Sequence, residues 1–228
     1  MALPRDYDTS PDRFRLGQRV TREYLTGGPT LYERIWAILG DGPLLVADVG
    51  GGNGALTAAR PGLSRARVVG VDASARLLGD HPGPAVQADA GRLPLRTGAL
   101  DAVTAVNIPY HLDDPVTAIA EARRVLAPGG LFIAATISRH DSPELSHVWR
   151  PAPSTFDAEN APGLVGQVFG QAETERWDTP LIRLPDAAAV RDYLVARFVA
   201  PADAARAAGQ VPVPLTLTKR GAFIWARA

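Results

Sequence analysis

The feature that most constrains this chain is an alternation running from residue 44 to residue 138. Short apolar runs, LLVADVG (44–50), ARVVGVD (66–72), PAVQAD (84–89), ALDAVTAVNI (99–108) and LFIAATIS (131–138), are separated by helical stretches at 55–62, 74–80 and 115–130. Runs that are apolar at nearly every position fit strands buried on both faces. Strand, helix, strand repeats are joined by right-handed crossovers. The sequence therefore predicts an α/β fold, a doubly wound, mostly parallel sheet with helices on both faces. GAFIWARA (221–228) predicts an antiparallel last strand.

The flanks are read more coarsely. Apolar spacing at Tyr24, Leu31, Ile35, Ile38 and Leu39, broken by Gly27-Gly28-Pro29, predicts two short helices over residues 1–43. Beyond 138 the pattern loosens into a loop (139–156), a helix within 157–172, a sixth strand at 173–184 and helical spacing over 185–209 interrupted at Pro201. Neither a repeat nor a long linker divides the chain. One domain over 1–228 is expected: a helical lid (1–43), a cofactor-binding core (44–138), a substrate-side cap (139–220) and the last strand (221–228).

Composition narrows the chemistry. With no cysteine, disulfides and thiol nucleophiles are excluded, and no carboxylate and His cluster has metal-ligand spacing. The 24 basic and 24 acidic residues cancel, which argues against a nucleic-acid partner. No window approaches the roughly 20 apolar residues of a membrane span, and the N-terminus lacks the apolar stretch of a signal peptide. A cytoplasmic protein, monomer or homodimer, is expected. Lys219 is the only lysine, and the Arg-rich, Ala-rich composition suggests a GC-rich bacterial genome.

The glycine turn Asp48-Val-Gly50-Gly-Gly52-Asn-Gly54 joins the first strand to its helix. Open parallel sheets bind ligands outside the carboxyl ends of their strands, where strand order reverses. Glycines there let backbone approach a ligand closely. Gly50, Gly52 and Ala55 also read as G-x-G-x-x-A, a dinucleotide fingerprint that leaves an NAD(P)-dependent reductase as an alternative. Asp72 ends the second strand, where a carboxylate accepts both hydroxyls of a ribose. It serves either cofactor, and it equally suits capping of the helix near residue 74.

Together these segments resemble the class I methyltransferases that use S-adenosylmethionine, with a Rossmann-like core. Asp48 to Gly54 fit that family's D-x-G-x-G-x-G pattern at each fixed position, and QADAGRLPL (87–95) resembles its third-strand signature. LDAVTAVNIPYHLDDP (100–115) resembles its fourth strand, with Asp101 followed ten residues later by His111. The resemblance implies S-adenosylmethionine as cofactor. Gly50 and Gly52 would lie against its methionine part and Asp48 near its amino group. Asp72 and Ala73 would meet the ribose, Asp89 and the Ala90 amide the adenine, and Asn107 and Ile108 the sulfonium side. His111 is a candidate general base. The acceptor would be a small molecule, methylated at O, N or C by in-line displacement. A relative that keeps the cofactor but has changed chemistry, a cyclase or a binding module, is the other alternative. Tyr7, Tyr24, Tyr32, Arg139, His140, His147 and Trp149 match no motif; they are candidates to line an acceptor pocket, His140 as a second possible base, or to pack at a surface.

Overall fold

The computed structural model describes residue 9, residues 11–42 and residues 44–228; Tyr7 lies outside them. Helices α1 (Pro11–Tyr24) and α2 (Leu31–Leu39) come first. α2 starts where the sequence can cap it: the Thr30 hydroxyl accepts from the Glu33 amide, and the Glu33 carboxylate accepts from the Thr30 amide. The core follows as β1 (Leu45–Val49), α3 (Ala55–Ala58), β2 (Arg67–Asp72), α4 (Ala75–Leu78), β3 (Ala85–Gln87), β4 (Leu100–Val106), α5 (Pro115–Val125) and β5 (Leu126–Ile137). Then come α6 (Ala161–Phe169), β6 (Glu173–Leu184), α7 (Ala187–Val195), α8 (Pro201–Ala208) and β7 (Leu215–Arg227).

The seven strands form one sheet in the order β3-β2-β1-β4-β5-β7-β6. All pairings from β3 to β5 are parallel, and β7 runs antiparallel between β5 and β6. Alternate residues of each strand feed opposite faces. Ala47, Val103 and Phe132 pack with Ile119 and Val125 of α5 and Val165 of α6. Val46, Ala102 and Ile133 pack with Ile35 and Trp36 of α2 and Leu56 of α3 on the other side. This is the doubly wound, Rossmann-like architecture with helices on both faces.

A third core lies beyond the sheet's β6–β7 edge, where Val20 of α1 meets Val190, Tyr193 and Leu194 of α7 and Ala204 of α8. Arg19 of α1 donates to Asp192 of α7 at 2.7 Å, strapping the N-terminal helix to this layer. Among the described residues no helix is long and apolar enough to cross a membrane.

Three segments depart from the expected bounds. The helix expected over 115–130 stops at Val125, and Leu126 is extended (ψ 138). Pro128 disfavours helical backbone at Ala127, so the chain turns out of the helix before it. The helix expected over 55–62 is only Ala55–Ala58, likewise ending ahead of Pro61. β7 begins at Leu215 rather than at 221, because the polar stretch TLTKR pairs along β6 from Leu184↔Leu215 to Asp178↔Arg220.

Candidate active site

The glycine turn is pinned to β2. The Gly50 amide donates to the Val71 carbonyl at 2.6 Å, and the Gly52 amide to Asp72 Oδ2 at 2.9 Å. Gly50 has φ +74, and a Cβ there would fall 1.9 Å from Cγ1 of Ile108. Its glycine identity thus lets the end of β4 close directly onto the turn. Gly54 (φ +78) answers to a different neighbour: a Cβ there would sit 2.3 Å from Pro82 and 2.8 Å from the His81 ring. That glycine serves packing beneath the turn rather than the cleft above it.

A cleft opens at the carboxyl ends of β1, β2 and β4, lined by residues including Gly50, Asp72, Ala73, Ala90, Ile108 and His111. β1 lies between β2 and β4, so the cleft sits where strand order reverses. Asp72 holds the turn through Gly52 and also accepts from the Ser74 amide at 2.8 Å. The helix cap is Ser74, whose hydroxyl accepts from the Leu77 amide. Asp89 stands exposed at the rim, Oδ1 accepting from the Gly91 amide at 2.7 Å, with Ala88 and Ala90 on either side lining the cleft. Leu112, Ala88 and Ser74 also line it and were not anticipated. Small or apolar residues of this kind carry no compositional signal of their own.

Asp48 lies beneath the cleft, 3% exposed, with Oδ1 accepting from the Thr104 hydroxyl at 2.7 Å. Burial pushes its carboxyl up to about 7; the Thr104 hydrogen bond opposes that shift, and the Asp72 charge adds to it. Tyr32 of α2 reaches the same region: burial and the Asp48 charge raise its phenol to about 12. Gln18 of α1 touches the turn from above, at 3.4 Å from Asn53 Oδ1.

Asn107 leaves β4 with φ 55, an unusual conformation for a residue with a side chain. Its Oδ1 is buried and has no hydrogen-bond partner among the described residues. His111 is buried in the 3-10 turn Pro109–His111, its ring 4.5 Å from that of Tyr110. Other candidates lie elsewhere. Asp101 is at the opposite end of the sheet, accepting from the Leu45 amide. Arg139 is committed to Asp157 through two hydrogen bonds. His140 and His147 are exposed loop residues, and Trp149 and Tyr24 pack against the third core.

These features fit an adenosyl cofactor with an amino-acid arm. A carboxylate stands at the end of β2, small apolar residues floor the cleft beside Asp89, and a buried amide oxygen awaits a donor at the end of β4.

Residues 47–134 match the family model described as a methyltransferase domain. A malonyl-[acyl-carrier protein] O-methyltransferase of Geobacter sulfurreducens is 36% identical over 132 residues, covering 53% of this chain and 49% of that protein. The chain spans about half or less of the length of each curated relative it matches. Among solved structures, a SAM-dependent methyltransferase from Thermotoga maritima superposes with a TM-score of 0.60 at 16% identity, covering 97% of both chains. The [4+2]-cyclase SpnF superposes with a TM-score of 0.54 at 20% identity, covering 93% of this chain and 80% of that one. At such identities the likeness is one of fold. The domain match over residues 47–134 and the shared fold make this chain similar to the S-adenosylmethionine-dependent methyltransferases.

Proposed function

We propose that this protein methylates a small-molecule acceptor by direct in-line displacement, within one domain over 1–228 and in the cytoplasm, as a monomer or homodimer. The observation that carries the reading is the single cleft that gathers Gly50, Asp72, Ala73, Ala90 and His111 at the carboxyl ends of β1, β2 and β4. Asp72 receives the ribose hydroxyls, and Asp89 with the Ala90 amide receives the adenine edge. Gly50 and Gly52 admit the methionine arm, with Asp48 below it and Asn107 Oδ1 facing the sulfur side. When bound, S-adenosylmethionine supplies a sulfonium methyl that is already strongly electrophilic. The chain's own task is then positioning and exclusion of water. His111, buried on the cleft wall, takes the acceptor's proton if the attacking atom carries one.

The test is calorimetric titration with S-adenosylhomocysteine, followed by transfer of labelled methyl from S-adenosylmethionine to a metabolite pool. Absence of cofactor binding would sink the reading. Tight binding with no labelled small molecule would shift it to a relative with changed chemistry.

A further inference from the structure

β2 carries a glycine in mid-strand, where glycine is ordinarily unfavourable. Its backbone does not call for one, because Gly70 has no positive φ. The reason is a neighbour: a Cβ at Gly70 would fall 2.5 Å from Nε2 of His81 and 2.8 Å from its Cδ2. The same ring edge meets the glycine turn from beneath, Cδ2 at 2.8 Å and Nε2 at 3.0 Å from where a Gly54 Cβ would stand. Two glycines on different elements thus leave room for one imidazole. Gly54 closes the turn, its amide donating to the Gly51 carbonyl at 2.7 Å.

His81 follows α4 and is held by its own loop. Its amide donates to the Leu78 carbonyl at 3.1 Å, and Nδ1 accepts from the Gly83 amide at 3.1 Å. Nε2, on the wedged edge, is buried with no hydrogen-bond partner among the described residues. An unpaired ring nitrogen and a mid-strand glycine are both local costs. They fall together against the underside of the turn, and departures from local rules gather at functional sites. Gly70 is also the register partner of Asp48 on β1, so the ring covers the same face of the sheet as Asp48, one strand over.

We infer that His81 is a positioning residue for the cofactor, its ring a wedge between β2 and Gly54 that sets how far the glycine turn stands above the sheet. The inference rests on the assignment of that turn to the methionine arm of S-adenosylmethionine. Gly50 and Gly52 offer the arm backbone alone, so the placement of that backbone decides the fit, to within about 0.5 Å. His81 lies behind the turn rather than on the cleft wall, and acts through it.

Paired substitutions test this by calorimetric titration with S-adenosylhomocysteine. His81→Ala removes the wedge and should weaken binding at least about tenfold in folded protein, as misplacement without a lost ligand contact does. Gly70→Ala drives a methyl against Nε2 and should weaken binding in the wild type. In the His81→Ala background the same methyl enters emptied space and should recover part of the affinity, a reversal of sign that independent effects do not give. Should His81→Ala fail to fold, His81→Asn, which keeps a polar atom near Nδ1 and drops the ring tip, takes its place. Amide hydrogen exchange in cofactor-free protein gives a second reading: Gly52 and Gly54 should speed up at least about fivefold more than Val103 in the core of β4. Wild-type affinity in the folded variant would overturn the inference, as would Gly70→Ala acting with one sign on both backgrounds, or a uniform rise in exchange. A wild type that does not bind S-adenosylhomocysteine counts against the proposed function, and exchange at the turn then judges whether His81 holds it.

Discussion

Thr104 donates its hydroxyl to Asp48 Oδ1 at 2.7 Å, tying the middle of β4 to a carboxyl group enclosed beneath the glycine turn. One neutral donor does not replace the hydration that this carboxylate loses, so its folded-state value rises to about 7 from an ordinary 3.8. The folded protein therefore binds the proton more tightly than the unfolded chain does. Stability from this group is fully present below about pH 4 and is lost as pH rises through 7. At about 1.4 kcal/mol per pH unit, the loss is on the order of 4 kcal/mol. Asp48→Asn removes the titration, so its stability relative to wild type should improve between pH 4 and pH 8. Urea unfolding at the two pH values checks this, and a constant difference would refute it.

Gly50 and Ile108 form a second coupled pair. Gly50→Ala combines a strained positive φ with a Cβ placed 1.9 Å from Ile108, and should cost about 2–4 kcal/mol of stability along with cofactor affinity. Gly50→Ala with Ile108→Ala should be more stable than the sum of the single variants by at least about 1 kcal/mol, since the clash is shared. Additive losses in chemical denaturation would mean that Ile108 yields freely.

Asp72→Ala and Asp89→Ala should each weaken S-adenosylhomocysteine binding by about 1–3 kcal/mol, by leaving a polar ligand group without its partner. They differ in stability. Asp72 accepts from the Gly52 and Ser74 amides, so its removal also loosens the turn, whereas Asp89 stands exposed at the rim and accepts from the Gly91 amide. Calorimetry paired with thermal melts separates the two effects. Unchanged affinity in both variants would show that the cofactor does not meet these carboxylates.

The core was legible in the sequence because its signals are local. LLVADVG, ARVVGVD and LFIAATIS are apolar at nearly every position, and β1, β2 and β5 lie within or across those stretches. The spacing of Gly50, Asp72, Ala90 and His111 along successive strand ends sufficed to bring them to one cleft, since each strand end follows from the one before. What lay hidden depends on tertiary context. Residues 215–220 lie outside the last strand expected at 221–228, yet join β7 because β6 offers them an edge to pair with. Arg197 is one of 23 arginines (24 Lys+Arg less the single Lys219), and its stacking on the Tyr193 ring has no trace in linear order. Gly54 looked like part of the cofactor turn, but its tightest neighbours are His81 and Pro82.

That single lysine anchors the layer carrying Arg197. Lys219 is ion-paired with Asp141 and donates to Tyr193 Oη at 2.8 Å. Tyr193 Oη lies 2.6 Å from Ser142 Oγ, and Ser142 Oγ donates to Asp141 Oδ2 at 3.0 Å. The ring of bonds joins β7, the segment after β5 and α7, with Asp141 at 1% side-chain exposure. Lys219→Met leaves that carboxylate buried without its cation, and should cost about 3–5 kcal/mol. Lys219→Met with Asp141→Asn should recover part of the loss, because the stranded charge goes with its partner. Tyr193→Phe keeps the ring under Arg197 while losing the hydroxyl, so it should cost only about 1–2 kcal/mol. Equilibrium denaturation of the three variants tests the ordering. A Lys219→Met penalty below about 1 kcal/mol, as for an exposed pair, would mean that solvent reaches Asp141 and the ring does not brace the cap.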